Sequence, residues 1–81
     1  MNSINANERI RECTKRTIKY GIANLNLEIE KVAKTQARDW FNQFDIKQNQ
    51  SSTNLFENKH EEYRTKLIRE AVETFEAELL K

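Results

Sequence analysis

Proline is absent from this 81-residue chain, and glycine occurs once, as Gly21. β-rich domains and loop-built active sites draw on both residues for their turns, and phosphate-cradling loops need several glycines, so all three are disfavoured. The single cysteine, Cys13, cannot close an internal disulfide, whereas a disulfide-stapled secreted scaffold would bring an even set. His60 is the only imidazole, and the serines Ser3, Ser51 and Ser52 fall in segments that read as tail or connection. No set of nucleophile, base and orienting group can be nominated. No apolar run approaches the roughly 18 residues of a membrane span, the N-terminal stretch lacks the apolar core of a signal peptide, and Asn2 excludes myristoylation. The expectation is a cytoplasmic protein that is not an enzyme and uses no cofactor.

What is present favours helices. Apolar residues make up 37% of the chain and charged residues 33%, too apolar for outright disorder yet with little surplus against the entropy of folding. A chain of this length buries only about 60 to 65% of the surface its unfolded form exposes, so association is an expected supplement to a thin core. The net charge is +1 but unevenly laid out. Residues 1–20 set Arg9, Arg11, Lys15, Arg16 and Lys19 against Glu8 and Glu12, residues 21–50 balance, and residues 51–81 are acidic on balance.

The last segment is the clearest. Asn54 followed by Glu57 forms an Asn-led variant of a capping box ahead of an apolar-periodic run, which predicts a helix over 54–80. Along it Tyr63, Leu67, Ile68, Ala71, Val72, Phe75 and Leu79 recur at spacings of three and four, with Glu61, Glu62, Arg69, Glu73 and Glu76 between them. So wide a stripe suits packing on two neighbours better than a narrow two-stranded seam. Residues 46–53 are polar and aperiodic and read as the connection. Before them Ile18, Ile22, Leu25, Ile29 and Val32 form a seam continued by Ala33, Ala37, Trp40 and Phe44, predicting helix over about 22–45. A helix over 6–20 turns Ile10, Cys13, Thr17 and Tyr20 to one face, and that face is rotated against the next seam. The offset falls at Gly21, where a break or kink is expected. Leu25, Leu27 and Ile29 also alternate with polar residues as an exposed strand would, but no second strand is evident to pair with them. No internal repeat is visible. The fold class read from this is all-α: one small domain, a helical hairpin with its first arm broken or kinked near Gly21, closing its core as a dimeric four-helix-type bundle.

Four groups of residues invite functional readings. Trp40, Phe41, Phe44 and Phe56 crowd the two sides of the connection, with Tyr63, Ile46 and Leu55 nearby. Phe41 points about 100° from Trp40 on a helix, so a two-helix tip should leave apolar surface exposed, the kind of clustered aromatic surface in which interfaces concentrate their energy. Ordinary burial of these rings by the loop or by dimerisation is the bland alternative. Arg11, Lys15 and Lys19 stack at i, i+4, i+8 with Arg16 adjacent, a stripe that could follow phosphates or simply be a solvated face balanced by Glu8 and Glu12. Glu57 and His60 have the Glu-x-x-His spacing that di-iron carboxylate bundles use, but the opposing arm offers Asp39 in place of a Glu, so no metal is expected. Cys13 on an apolar face reads as a small buried side chain rather than a reactive thiol.

The sequence therefore points to a small non-enzymatic modulator or inhibitor that binds a protein partner through its aromatic tip and works as a homodimer. Its size and its Asn-, Lys- and Ile-rich composition suggest a phage or mobile-element origin. The alternative is an antitoxin-like regulator that binds nucleic acid through the basic N-terminal helix.

Overall fold

A computed structural model describes residues 5–21, 24–44 and 50–80, with side chains in the last stretch from Asn54 onward. Three α-helices account for nearly all of it: α1 (Ala6–Tyr20), α2 (Leu25–Gln43) and α3 (Gln50–Leu79). No strand occurs among the described residues, so Leu25, Leu27 and Ile29 are helical.

Both ends of α1 are written into its flanking residues. The Asn5 side chain accepts a hydrogen bond from the Glu8 backbone N–H at 3.2 Å, satisfying one of the orphan donors of the first turn. At the other end Gly21 adopts a left-handed conformation, φ 71°, and its N–H donates to the Thr17 carbonyl. Only a residue without Cβ takes that conformation at no cost, which is why the chain leaves the helix at this point.

Beyond Gly21 the chain turns back. Arg9 meets Glu28 in an ion pair between α1 and α2. Glu30 meets Arg64, and Phe41 meets Phe56, so α2 and α3 run antiparallel. Arg11 on α1 reaches Glu70 on α3 at 3.2 Å. The result runs up, down and up, and each helix touches the other two. Instead of continuing one another as a kinked arm, α1 and α2 lie side by side.

The core is small. Ile10 of α1, Ile29, Val32 and Ala33 of α2, and Leu67 and Ala71 of α3 form one buried cluster, with Ala6, Leu25 and Tyr63 packed against it. Ala37 and Phe41 carry burial along α2 toward its C-terminal end. Two threonines are also enclosed, and each hydroxyl donates to the carbonyl four residues earlier: Thr14 to Ile10 at 2.7 Å and Thr74 to Glu70 at 2.8 Å. A buried hydroxyl bonded in this way leaves no unmet donor in the core.

Several expectations are corrected. α3 starts at Gln50 rather than Asn54, because Ser51, Ser52 and Thr53 tolerate a helix whose stability comes from packing further along. Of the expected connection 46–53, residues 50–53 are helical, and 46–49, with Ile22, lie outside the described residues. On α1 the buried pair is Ile10 and Thr14; Cys13 and Thr17 are half-buried and Tyr20 is exposed. On α3 the wide stripe is only partly covered. Leu67 and Ala71 are buried and Phe75 half-buried, but Ile68, Val72 and Leu79 are exposed. Ile68 lies 100° round the helix from Leu67, beyond the reach of α1 and α2.

Candidate partner-binding site

The aromatic residues meet where the end of α2 passes the beginning of α3. Phe41 is at the centre, 2% exposed, with its ring set edge-on to Phe56 at 5.3 Å and to Trp40 at 5.4 Å between centroids. Such edge-to-face pairs add about 0.5–1.5 kcal/mol each beyond their burial. Trp40 and Phe56 are half-buried, and Phe44, 5.1 Å from Trp40 in ring centroids, is 57% exposed. The rings form a graded stack from core to solvent. Phe41 is therefore an internal support, and the surface of the cluster is Trp40, Phe44 and one side of Phe56.

Trp40 is held in place electrostatically as well. The Lys59 ammonium lies 4.5 Å from its ring centroid and also donates to Glu62 at 3.3 Å. Glu62 accepts that hydrogen bond and feels the charges of Lys59 and Lys66, so its carboxyl is held below the ordinary carboxylate range. Anchoring the lysine from behind keeps it over the indole, the arrangement cation–π attraction rewards.

The face of α2 that α1 leaves bare forms a groove of about 760 Å³ beside this stack. It is lined by Asn5 and Ala6 at the start of α1, by Val32, Gln36 and Trp40 of α2, and by Tyr63 of α3. Its rim is basic: Lys31, Lys34 and Arg38 recur at i, i+3 and i+7, Arg9 stands opposite, and Asp39 is the only carboxylate among the lining residues. Lys31, Lys34 and Arg38 make no ion pair among the described residues. The Gln36 Oε1 atom is buried without a hydrogen-bond partner among the described residues. The chain matches no known family model, no curated protein and no solved structure. Its function has to be read from this geometry.

The other sequence candidates are placed less favourably. In the N-terminal stripe Arg11 is paired with Glu70 and Lys15 lies 3.8 Å from Glu12. Arg16 and Lys19 are exposed and make no ion pair among the described residues, and the Lys19 ammonium sits 5.4 Å from the Tyr20 ring centroid. The stripe is thus half neutralised from within. His60 turns toward α2, its Nε2 3.3 Å from Glu30 Oε1. Arg64 shares the same carboxylate: Nη2 donates to Oε1 at 3.2 Å, Nε lies 2.6 Å from Oε2 out of line for a hydrogen bond, and Glu61 adds a second ion pair. The hydrogen bond to Glu30 is the main influence holding the guanidinium above its usual pKa; partial burial opposes it and the charges of Glu30 and Glu61 add to it. The Glu30–Arg64 pair thus ties α2 to α3 beneath the aromatic stack, with the His60 ring beside the same carboxylate. Among the described residues no three His, Cys, Asp or Glu side chains converge as a metal site would need, and no helix is long and apolar enough to cross a membrane.

Sequence reasoning missed Lys31, Lys34, Arg38, Gln36 and Tyr63 as a group. The spacing of the three cations was a readable signal. That α1 would stop short and leave this face of α2 open depends on where α1 docks, which no local pattern reports.

Proposed function

We propose that this chain is a non-enzymatic modulator, acting in the cytoplasm as a homodimer, that binds an acidic segment of a protein partner along the groove of α2. The observation that carries this reading is the half-exposed Trp40, stacked with the exposed Phe44 over a buried ring and lining the same groove as three cations without ion pairs. The rings supply rigid anchors, the kind of residue on which interfaces concentrate energy. Lys31, Lys34 and Arg38 steer an acidic partner toward them. The N-terminal stripe of Arg11, Lys15, Arg16 and Lys19 supports nucleic-acid binding less well, because two of its four cations are already paired.

Recovery of a partner by affinity capture from the native host, followed by titration of the purified pair, tests the reading. Trp40 is the only tryptophan in the chain, so its fluorescence reports occupancy of the site directly. Trp40→Ala and Phe44→Ala should each weaken binding by about 2 kcal/mol or more, while a double Arg16→Ala, Lys19→Ala variant should bind as the natural chain does. Loss of partner binding confined to the double variant would transfer the function to α1.

A further inference from the structure

The apolar residues of α3 that α1 and α2 leave uncovered form a second surface, remote from the aromatic stack. Ile68 is 45% exposed, Val72 49% and Leu79 74%, with Phe75 half-buried between them. Their spacings are four, three and four, so they lie on one face of the helix and repeat as alternating core positions of a coiled coil do. The order of those spacings is the same read in either direction. A stripe of that kind can pair with an antiparallel copy of itself about a two-fold axis near residues 73 and 74, setting Ile68 opposite the partner's Leu79 and Val72 opposite the partner's Phe75.

The flanking charges decide the direction. Arg69 and Glu76 occupy equivalent positions beside the stripe, and neither makes an ion pair among the described residues. In an antiparallel pair these two positions face each other across the interface, so Arg69 of each copy meets Glu76 of the other, twice by symmetry. A parallel pair would instead bring Arg69 toward Arg64 of the neighbouring copy, setting like charges together.

We propose that two copies of this chain pair antiparallel along Ile68, Val72, Phe75 and Leu79, locked in register by reciprocal Arg69 to Glu76 ion pairs, and so present their aromatic ends outward at opposite poles. At a rise of 1.5 Å per residue, the two Phe56 positions then stand about 50 Å apart. The dimer is a two-headed binder, able to hold two partner molecules, or two sites on one, at a fixed spacing. What the heads bind rests on the reading above; the pairing itself does not, because it is measured without a partner.

Sedimentation equilibrium from about 1 to 200 μM should show the natural chain moving from its 9.7 kDa mass to twice that value. Ile68→Asp and Val72→Asp should remain monomeric throughout with unchanged helical circular dichroism. Arg69→Glu and Glu76→Arg should each weaken pairing roughly tenfold, since two attractive pairs become repulsive, and the double reversal should restore it to within about threefold. In a Cys13→Ser background, spin labels at Asn58→Cys should lie about 45 Å apart. A chain monomeric at 200 μM, a double reversal that fails to rescue, or labels under about 20 Å apart would each overturn the proposal. Dimerisation as described with no partner binding at Trp40 and Phe44 would leave the pairing standing and remove the protein-binding function.

Discussion

The two halves of α3 are covered differently. Its first half lies against α2, where Phe41, Phe56 and the Glu30, His60 and Arg64 group close the interface with rings and shared charge. Along its second half Leu67, Ala71 and Thr74 are buried on the face turned to the other helices, while Ile68, Val72 and Leu79 remain open to solvent. The reasons are face and length: Ile68 and Val72 lie about 100° round the helix from Leu67 and Ala71. α3 has 30 residues against 15 for α1 and 19 for α2, and because α1 and α2 run in opposite directions, neither spans it. The apolar width of a helix sets how many neighbours it can accept, while the lengths and stagger of the other helices set how many it receives. Where the two disagree, apolar surface is left uncovered.

The centre of the molecule, where all three helices overlap, should show the largest effect of substitution. Leu67→Ala removes a side chain 1% exposed at the junction of the core cluster, and Phe41→Ala removes the ring that supports Trp40 and Phe56. Each should lower stability by roughly 3–5 kcal/mol in chemical denaturation at concentrations where the chain is monomeric. Ile68→Asp, the adjacent residue on α3, should cost less than about 1 kcal/mol under the same conditions, because the carboxylate stays in water. Comparable losses for Leu67→Ala and Ile68→Asp would mean that the two faces of the second half of α3 are not covered as described.

That contrast also shows what the sequence could reveal. The spacing of Leu67 and Ala71 with Ile29, Val32 and Ala33 marks helices and their inward faces, because burial imposes the 3.6-residue period on each segment alone. The same period includes Ile68, Val72 and Leu79, and it cannot separate residues buried within one chain from residues offered to a second. The aromatic end was visible as a cluster of rings. The order within it, with Phe41 inside and Phe44 outside, follows from the crossing of α2 over α3, a non-local fact. The groove rim was missed for the same reason: Lys31, Lys34 and Arg38 look like a solvated helix face until the position of α1 is known.

A smaller effect is expected at the turn between α1 and α2. Space is open around Gly21, with no atom within 4 Å of a built Cβ, yet its φ of 71° is one that side chains with Cβ adopt at a cost. Gly21→Ala should therefore destabilise the chain by about 1–2 kcal/mol through backbone strain alone. Gly21→Asn should cost less, since asparagine tolerates the left-handed region. Equal losses for the two substitutions, measured by thermal unfolding, would point to a clash rather than to φ.

The smallest effect on stability should come from Phe44, and there the contrast between core and binding surface is sharpest. Its ring is 57% exposed and rests on Trp40 at 5.1 Å, so Phe44→Ala uncovers part of the indole without opening a cavity. Surface truncations of this kind change stability by about 0.5 kcal/mol or less. Trp40 emission should nevertheless shift to longer wavelength, because water reaches a ring face that Phe44 now shields. Lys59→Met acts on the lysine that lies over the same ring: it keeps an apolar chain near the indole, removes a cation–π contact worth about 0.5–1 kcal/mol, and should move the emission less. If Phe44→Ala instead lowered stability as much as Phe41→Ala, Phe44 would be a core residue, and its use as a contact for a partner would have to be abandoned. A spectral change with stability retained is the signature expected of a side chain that lies at the surface and shields the indole, not of a core residue.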